Sequence, residues 1–308
     1  PDGFWMNNIP SYDAWWVINV CEYYNCSGDS AYLAKNLKNM NAAMKELDAC
    51  IDEDGTMDFG KIGRKLGLHE FFLDWPTDGT KDAVTGTALL ILYAARIFGE
   101  TAKDSACGAT ICSIERKLSR YLCEETAKKQ IAAFQVLCGK PSDGLKRLLE
   151  KDGASGFSTF MSYFILKALI VSGSNRTVDY IKEYYGGMIG RGATAFWEDF
   201  DISWLDGSGR IDEIPAPDKK DLHADYGQFC YKGLRHSLCH GWSSGVLPFF
   251  IEEIVGLKIL EPGFKKVAVR PDPGSLKYIA AKIPTPFGVM SIEVKNGRTD
   301  VVVPNGIT

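Results

Sequence analysis

The chain has 308 residues, of which 45% are hydrophobic and 24% charged, with a formal net charge of −4. That balance belongs to a globular protein and excludes disordered, collagen-like and coiled-coil classes. The slight acidity argues against nucleic acid or an anionic membrane as partner, and the longest apolar run, 87–98, falls short of the roughly 18 residues a membrane helix needs.

In chain order, the first apolar run predicts a helix from Ser11 to about Cys26, stopped by Gly28. A cap at Asp29 or Ser30 opens a second helix to about Ile51, in which Leu33, Leu37, Met40, Met44 and Leu47 recur at spacings of three and four, marking one buried face. A long loop, 53–80, carries Gly55, Gly60, Gly63, Gly67, Pro76 and Gly79. Helices follow near 81–98, 101–122, 124–138, 142–151, 157–172 and 175–186, with turns at Gly99, Gly139, Gly153 and Gly173. A second long loop, 187–240, leads to a last helix from Trp242 to Val255. The periodicity then changes. Short β-type runs at 265–270, 278–283, 288–294 and 300–303 are separated by turn signals at Pro271–Gly274 and Asn296-Gly297. The expected fold is therefore mainly α. A toroid of antiparallel helix pairs occupies 1–257, and a small antiparallel β unit occupies 258–308. Four strands are thin for an independent sandwich, so this unit is expected to pack on the helices or to be incomplete.

The cysteines are odd in number, 9, and form no C-x-x-C pair. Most lie in apolar helical stretches, which favours buried thiols in a reducing, cytoplasmic setting over a disulfide framework or metal cluster. Gly241-Trp242-Ser243-Ser244-Gly245 fits the G-x-S-x-G nucleophile elbow in letters only, because no strand precedes it and no histidine follows His240. His236 and His240 share a helical spacing, but Ser237 stands where a zinc H-E-x-x-H motif needs glutamate. No glycine-rich phosphate cradle occurs. Neither cofactor nor metal is expected.

The long loops are more informative. Gly190–Asp201 opens the second of them and places Trp197 beside Glu198 and Asp199, while the first offers Asp74 beside Trp75. Sugars present apolar C–H faces ringed by hydroxyls, so carbohydrate sites combine indoles with carboxylates. Glycoside hydrolysis needs two carboxyls, one acid and one base or nucleophile. Loops of this length in a compact domain are usually functional.

At these residues the chain resembles the bacterial α-L-rhamnosidases, glycoside hydrolase family 78. Gly192-Ala193-Thr194-Ala195-Phe196-Trp197-Glu198 is close to the family's G-A-T-T-F-W-E block. Leu73-Asp74-Trp75 resembles its D-W loop, and Ser237-Leu238-Cys239-His240-Gly241-Trp242 its S-x-x-H stretch. Ser11–Trp16 through Gly28-Asp29 looks like a family helix pair, and Glu261-Pro262-Gly263-Phe264 with Arg270-Pro271 like its junction to a C-terminal β-sandwich. The resemblance implies an (α/α)6 barrel that removes terminal α-L-rhamnose from glycosides or polysaccharides with inversion. It implies Glu198 as general base, Trp197 and Trp75 as apolar walls of the sugar pocket, and Asp74 and His240 as partners of sugar hydroxyls. The family's acid block, D-x-x-x-R-D-E-R-x-G-W-x-G-D, does not occur in this sequence. The helical segments are also fewer than six pairs. The resemblance therefore leads us to expect a barrel lacking its first helices, whose partner is the remainder of the same protein, carrying the acid. Two other functions fit the same residues: an inverting (α/α)6 glycosidase for a different sugar, and a non-catalytic carbohydrate-binding toroid.

Overall fold

A computed structural model describes residues 3–102, 105–213 and 237–308. His223, Cys230 and His236 lie outside the described residues.

The helices are α1 (Ser11–Ser27), α2 (Ser30–Ala49), α3 (Lys81–Ala102), α4 (Ser105–Leu118), α5 (Lys129–Leu137), α6 (Asp143–Glu150), α7 (Ser162–Val171), α8 (Thr177–Gly190) and the short α9 (Val246–Phe249). Their starts and stops follow the local chemistry. Asp29 caps α2 by accepting from the Tyr32 amide at 2.8 Å, and Ser142 caps α6 from the Leu145 amide at 3.2 Å. Gly28 ends α1 in the left-handed conformation, φ 70°.

The odd-numbered helices form the inner layer: α1 packs on α3, α3 on α5, α5 on α7, and α7 on α9. Even-numbered helices back them, α2 against α1 and α4, and α6 against α5 and α7. Burial follows that arrangement. Ala88, Leu89, Leu90, Ile91 and Leu92 of α3 are all buried, because neighbours surround the helix, whereas α2 buries only the stripe Met40, Met44 and Leu47. Burying each such side chain contributes about 1.5–3 kcal/mol. The α3 helix, 22 residues with a mean hydropathy of 1.3, exceeds the apolar run expected from sequence and is long and apolar enough to cross a membrane. In this fold 67% of that apolar window is buried inside the protein, as in a core helix.

The last helix departs from expectation. Instead of one helix from Trp242 to Val255, a 3₁₀ turn (Gly241–Gly245) passes into α9 and then into a π turn (Phe250–Ile254) closed by a bond from the Val255 amide to the Phe250 carbonyl at 2.8 Å. Gly245 allows the close approach of this segment to α7, since a Cβ there would lie 2.7 Å from the Tyr163 Cβ.

The β unit has β1 (Leu257–Glu261) paired with β2 (Lys266–Val269), and a second sheet in the order β3 (Tyr278–Thr285), β4 (Gly288–Lys295), β5 (Arg298–Val302), all pairs antiparallel. Strand β1 had no sequence signal, whereas Asn296 and Gly297 form the expected two-residue turn, with φ 52° and 75°. Ile279, Ile283, Met290, Ile292 and Val294 bury one face of the larger sheet. Thr308 pairs with the β2 region, accepting from the Val267 amide at 2.9 Å. The unit meets the helices where Gly263 packs against Gly28, so tightly that a Cβ on either would lie 2.9 Å from the other's Cα.

Candidate active site

Residues 196–198 follow α8 and run alongside 237–240. The Glu198 amide donates to the Ser237 carbonyl at 2.8 Å, and the His240 amide to the Phe196 carbonyl at 2.7 Å. The Glu198 carboxylate accepts from the Ser237 amide at 3.0 Å, which fixes one of its oxygens. Its backbone carbonyl accepts from the Thr159 hydroxyl at 2.5 Å and from the Trp242 indole at 2.7 Å. The base candidate is thus held by its amide, its carbonyl and its side chain at once.

Glu198 itself is buried, 7% exposed, and so is its neighbour Trp197. The Trp197 indole is fully buried, 0% exposed, edge-on to Phe200 with ring centroids 5.7 Å apart. The whole run Trp197–Phe200 is buried, so the base candidate and its indole neighbour are both held inside this layer. Trp197, expected to wall the sugar pocket, thus lies in the core and is not among the residues that line the cavity described below.

Asp74, expected to meet a sugar hydroxyl, is buried as well. It is 1% exposed, and it caps the 3₁₀ turn Trp75–Thr77 by accepting from the Trp75 amide at 2.8 Å. It also accepts from the Ser158 hydroxyl and the Met161 amide. Burial pushes its carboxyl up to about 7, against the pull of these donors. Asp199 lies in the same layer. One of its oxygens accepts from the Phe200 amide at 2.9 Å, and the other has no hydrogen-bond partner among the described residues. Burial, and then the nearby Asp74, push it up to about 7 as well. These two acids form a buried anchor beneath the loops.

The half-buried Trp75 remains at the site, edge-on to Trp242 at 6.3 Å. His240 caps the Gly241–Gly245 turn, its Nδ1 accepting from the Trp242 amide at 3.4 Å, and its ring lies 4.9 Å from that indole. Trp242 itself was not singled out from sequence as a site residue. It stacks on Phe160 at 5.1 Å with ring planes 14° apart. Trp242 closes the stretch that resembles the S-x-x-H motif, whereas no short motif marks Phe160, which only the fold brings to this place.

Trp242, His240 and Phe160 line a cavity of about 660 Å³, completed by Trp15 and Trp16 of α1. Its walls are mainly apolar, with Glu252 and Tyr163 as a polar edge that Lys167 supports from outside the lining. Glu252 accepts from the Tyr163 hydroxyl at 2.7 Å and from the Lys167 ammonium at 2.9 Å. Burial opposes the charge on Lys167, but Glu252 outweighs it and its pKa is raised. Aromatic walls with a few polar groups suit a ring that has both C–H faces and hydroxyls.

Solved structures share this arrangement of helices and strands. A rhamnosidase of family GH78 from Bacillus sp. GL1 superposes with a TM-score of 0.68 over 97% of this chain, at 21% identity. The fold is that of the α-L-rhamnosidases. The Streptomyces avermitilis α-L-rhamnosidase complexed with L-rhamnose gives a TM-score of 0.66 over 92% of the chain at 16% identity. The native enzyme from Aspergillus terreus gives 0.66 over 94% at 17% identity. Residues 256–308 match the bacterial α-L-rhamnosidase C-terminal domain. No curated protein sequence matches the chain. The chain spans only 34%, 27% and 35% of the length of these rhamnosidase structures. The expected helical toroid followed by a small β domain is thus the rhamnosidase architecture.

Proposed function

We propose that this chain forms the base-bearing part of an α-L-rhamnosidase that works with inversion. The observation that carries this reading is Glu198, held at three points beside Trp242, whose indole lines the aromatic cavity. In this reading Glu198 takes a proton from a water molecule, which attacks the anomeric carbon opposite the leaving group. A second carboxyl about 6.5–9.5 Å away leaves room for that water. It protonates the glycosidic oxygen and is supplied by a part of the protein outside this chain. Trp75, Trp242 and Phe160 pack the apolar faces of the sugar, and His240 hydrogen-bonds a hydroxyl. Rhamnose suits such walls because its C6 is a methyl group. Support for the sugar comes from the relatives from S. avermitilis and Klebsiella oxytoca, whose structures hold L-rhamnose and rhamnose.

The test uses the full-length protein and an aryl α-L-rhamnoside. Glu198→Gln should lower kcat by at least about a hundredfold, as loss of a general base does. A near-normal rate refutes the assignment. Proton NMR of the first-formed product should show β-L-rhamnose; α-L-rhamnose appearing first would rule out inversion.

A further inference from the structure

The short segment before α7, Ser158-Thr159-Phe160-Met161, touches Glu198, the loop that carries Trp75, and Trp242. Ser158 donates its hydroxyl to Asp74 on the Trp75 loop. Met161 donates its amide to the same carboxyl. Between them, Thr159 donates its hydroxyl to the Glu198 carbonyl at 2.5 Å. Phe160 stacks on Trp242 and lies edge-on to Trp15 of α1, 5.0 Å away. Four consecutive residues therefore bind the base, the Trp75 loop and two aromatic walls.

The segment is itself braced. Gln130 of α5 donates to the Gly156 carbonyl at 3.0 Å and to the Ser158 hydroxyl at 3.2 Å. Ser162 returns a bond to the Thr159 carbonyl at 2.9 Å and shares another with the Tyr185 hydroxyl at 2.7 Å. Ser158, Thr159 and Ser162 are each at most 1% exposed. Buried hydroxyls of this kind retain one geometry, because any other leaves a donor unsatisfied. A general base gains from such rigidity, since misplacement by about 1 Å can cost on the order of a hundredfold in rate.

We propose that Thr159 is a positioning residue for Glu198, and that the Ser158–Met161 segment ties the base to the Trp75 loop and the Trp242–Phe160 wall as one unit. This inference rests on Glu198 being the base. Thr159 touches no substrate in this account and acts only through the Glu198 backbone.

The experiment compares Thr159→Val, which keeps shape and removes the hydroxyl, with Thr159→Ser, which keeps the hydroxyl. Both are made in the full-length protein and assayed on an aryl α-L-rhamnoside. Thr159→Val should lower kcat about 10- to 100-fold, with KM changed by less than about twofold. Thr159→Ser should recover kcat to within about threefold of the parent. Added to Glu198→Gln, Thr159→Val should cost little more, because the group it positions is already gone. Parent-like kcat in Thr159→Val overturns the proposal. So does a loss that Thr159→Ser fails to recover, or one that appears in KM alone. A loss that persists in full in the Glu198→Gln background shows a general structural effect and also overturns it. The single variant Glu198→Gln separates the two levels. If it stays active, the base assignment fails and this inference fails with it. If it is inactive while Thr159→Val is normal, only this inference fails.

Discussion

Two loops carry an acid next to an indole, and the fold uses them differently. In Asp74-Trp75 the acid is buried as a cap and the indole is half-exposed at the site. In Trp197-Glu198 both members are buried, the indole at 0% and the acid at 7% exposure, and a backbone amide holds one carboxylate oxygen. The pairs have the same chemistry written in reverse order. The first pair sends one member inward and the second sends both, and each buried member finds a partner there: the Ser158 hydroxyl for Asp74, the Phe200 ring for Trp197 and the Ser237 amide for Glu198. Residue type nominates such a pair, but packing assigns its roles.

The contrast breaks most visibly at the indoles. Trp197→Ala should destabilise the protein by about 3–5 kcal/mol, since it empties a buried aromatic site. Trp75→Ala should cost well under half of that and should instead raise KM. Denaturant unfolding and steady-state kinetics on both variants check this; similar stability losses would erase the distinction.

The buried acids predict a weaker effect, with a definite sign. Asp74 and Asp199 have folded-state values of about 7 against an ordinary 3.8. Between those values the folded protein holds more protons than the unfolded chain, so stability falls as pH rises. The contribution is full below pH 3.8, declines toward pH 7 and is gone above it. Asp199→Asn should flatten this decline by about 1–3 kcal/mol, seen as a smaller difference in unfolding free energy between pH 5 and pH 8. An unchanged pH slope would show that Asp199 carries its charge in the fold at little cost.

The smallest effect concerns the second donor to Glu198. Trp242→Phe keeps a ring over Phe160 but removes the indole N–H, leaving Thr159 to hold the carbonyl. A loss of one hydrogen bond of about 1 kcal/mol corresponds to roughly fivefold in kcat. A hundredfold loss would mean that the indole holds the base more firmly than Thr159 does.

Much of the architecture was legible before folding was considered. The spacing of Leu33, Met40, Met44 and Leu47, the Asp29 cap and the Gly28 stop place a helix pair where one is found, and Asn296-Gly297 places the last hairpin. These signals are local, so they survive in a linear string. The last helix was less legible, because the 3₁₀ and π turns around α9 arise from close packing on Tyr163 rather than from its own pattern. Ser158–Met161 was silent for a related reason. It was absorbed into a predicted helix from 157 to 172, whereas α7 begins at Ser162.

The sequence by itself determined a mainly helical chain with a β tail and nominated Glu198 within a rhamnosidase-like block, because periodicity, caps, turns and a motif are properties of neighbours in the chain. Only the tertiary structure decided that Trp197 and Asp74 turn inward, that Trp242 and Phe160 wall the cavity, and that Thr159 grips the base. Those outcomes depend on which side chains find a buried partner across many tens of residues, and that is set when the helices close against one another.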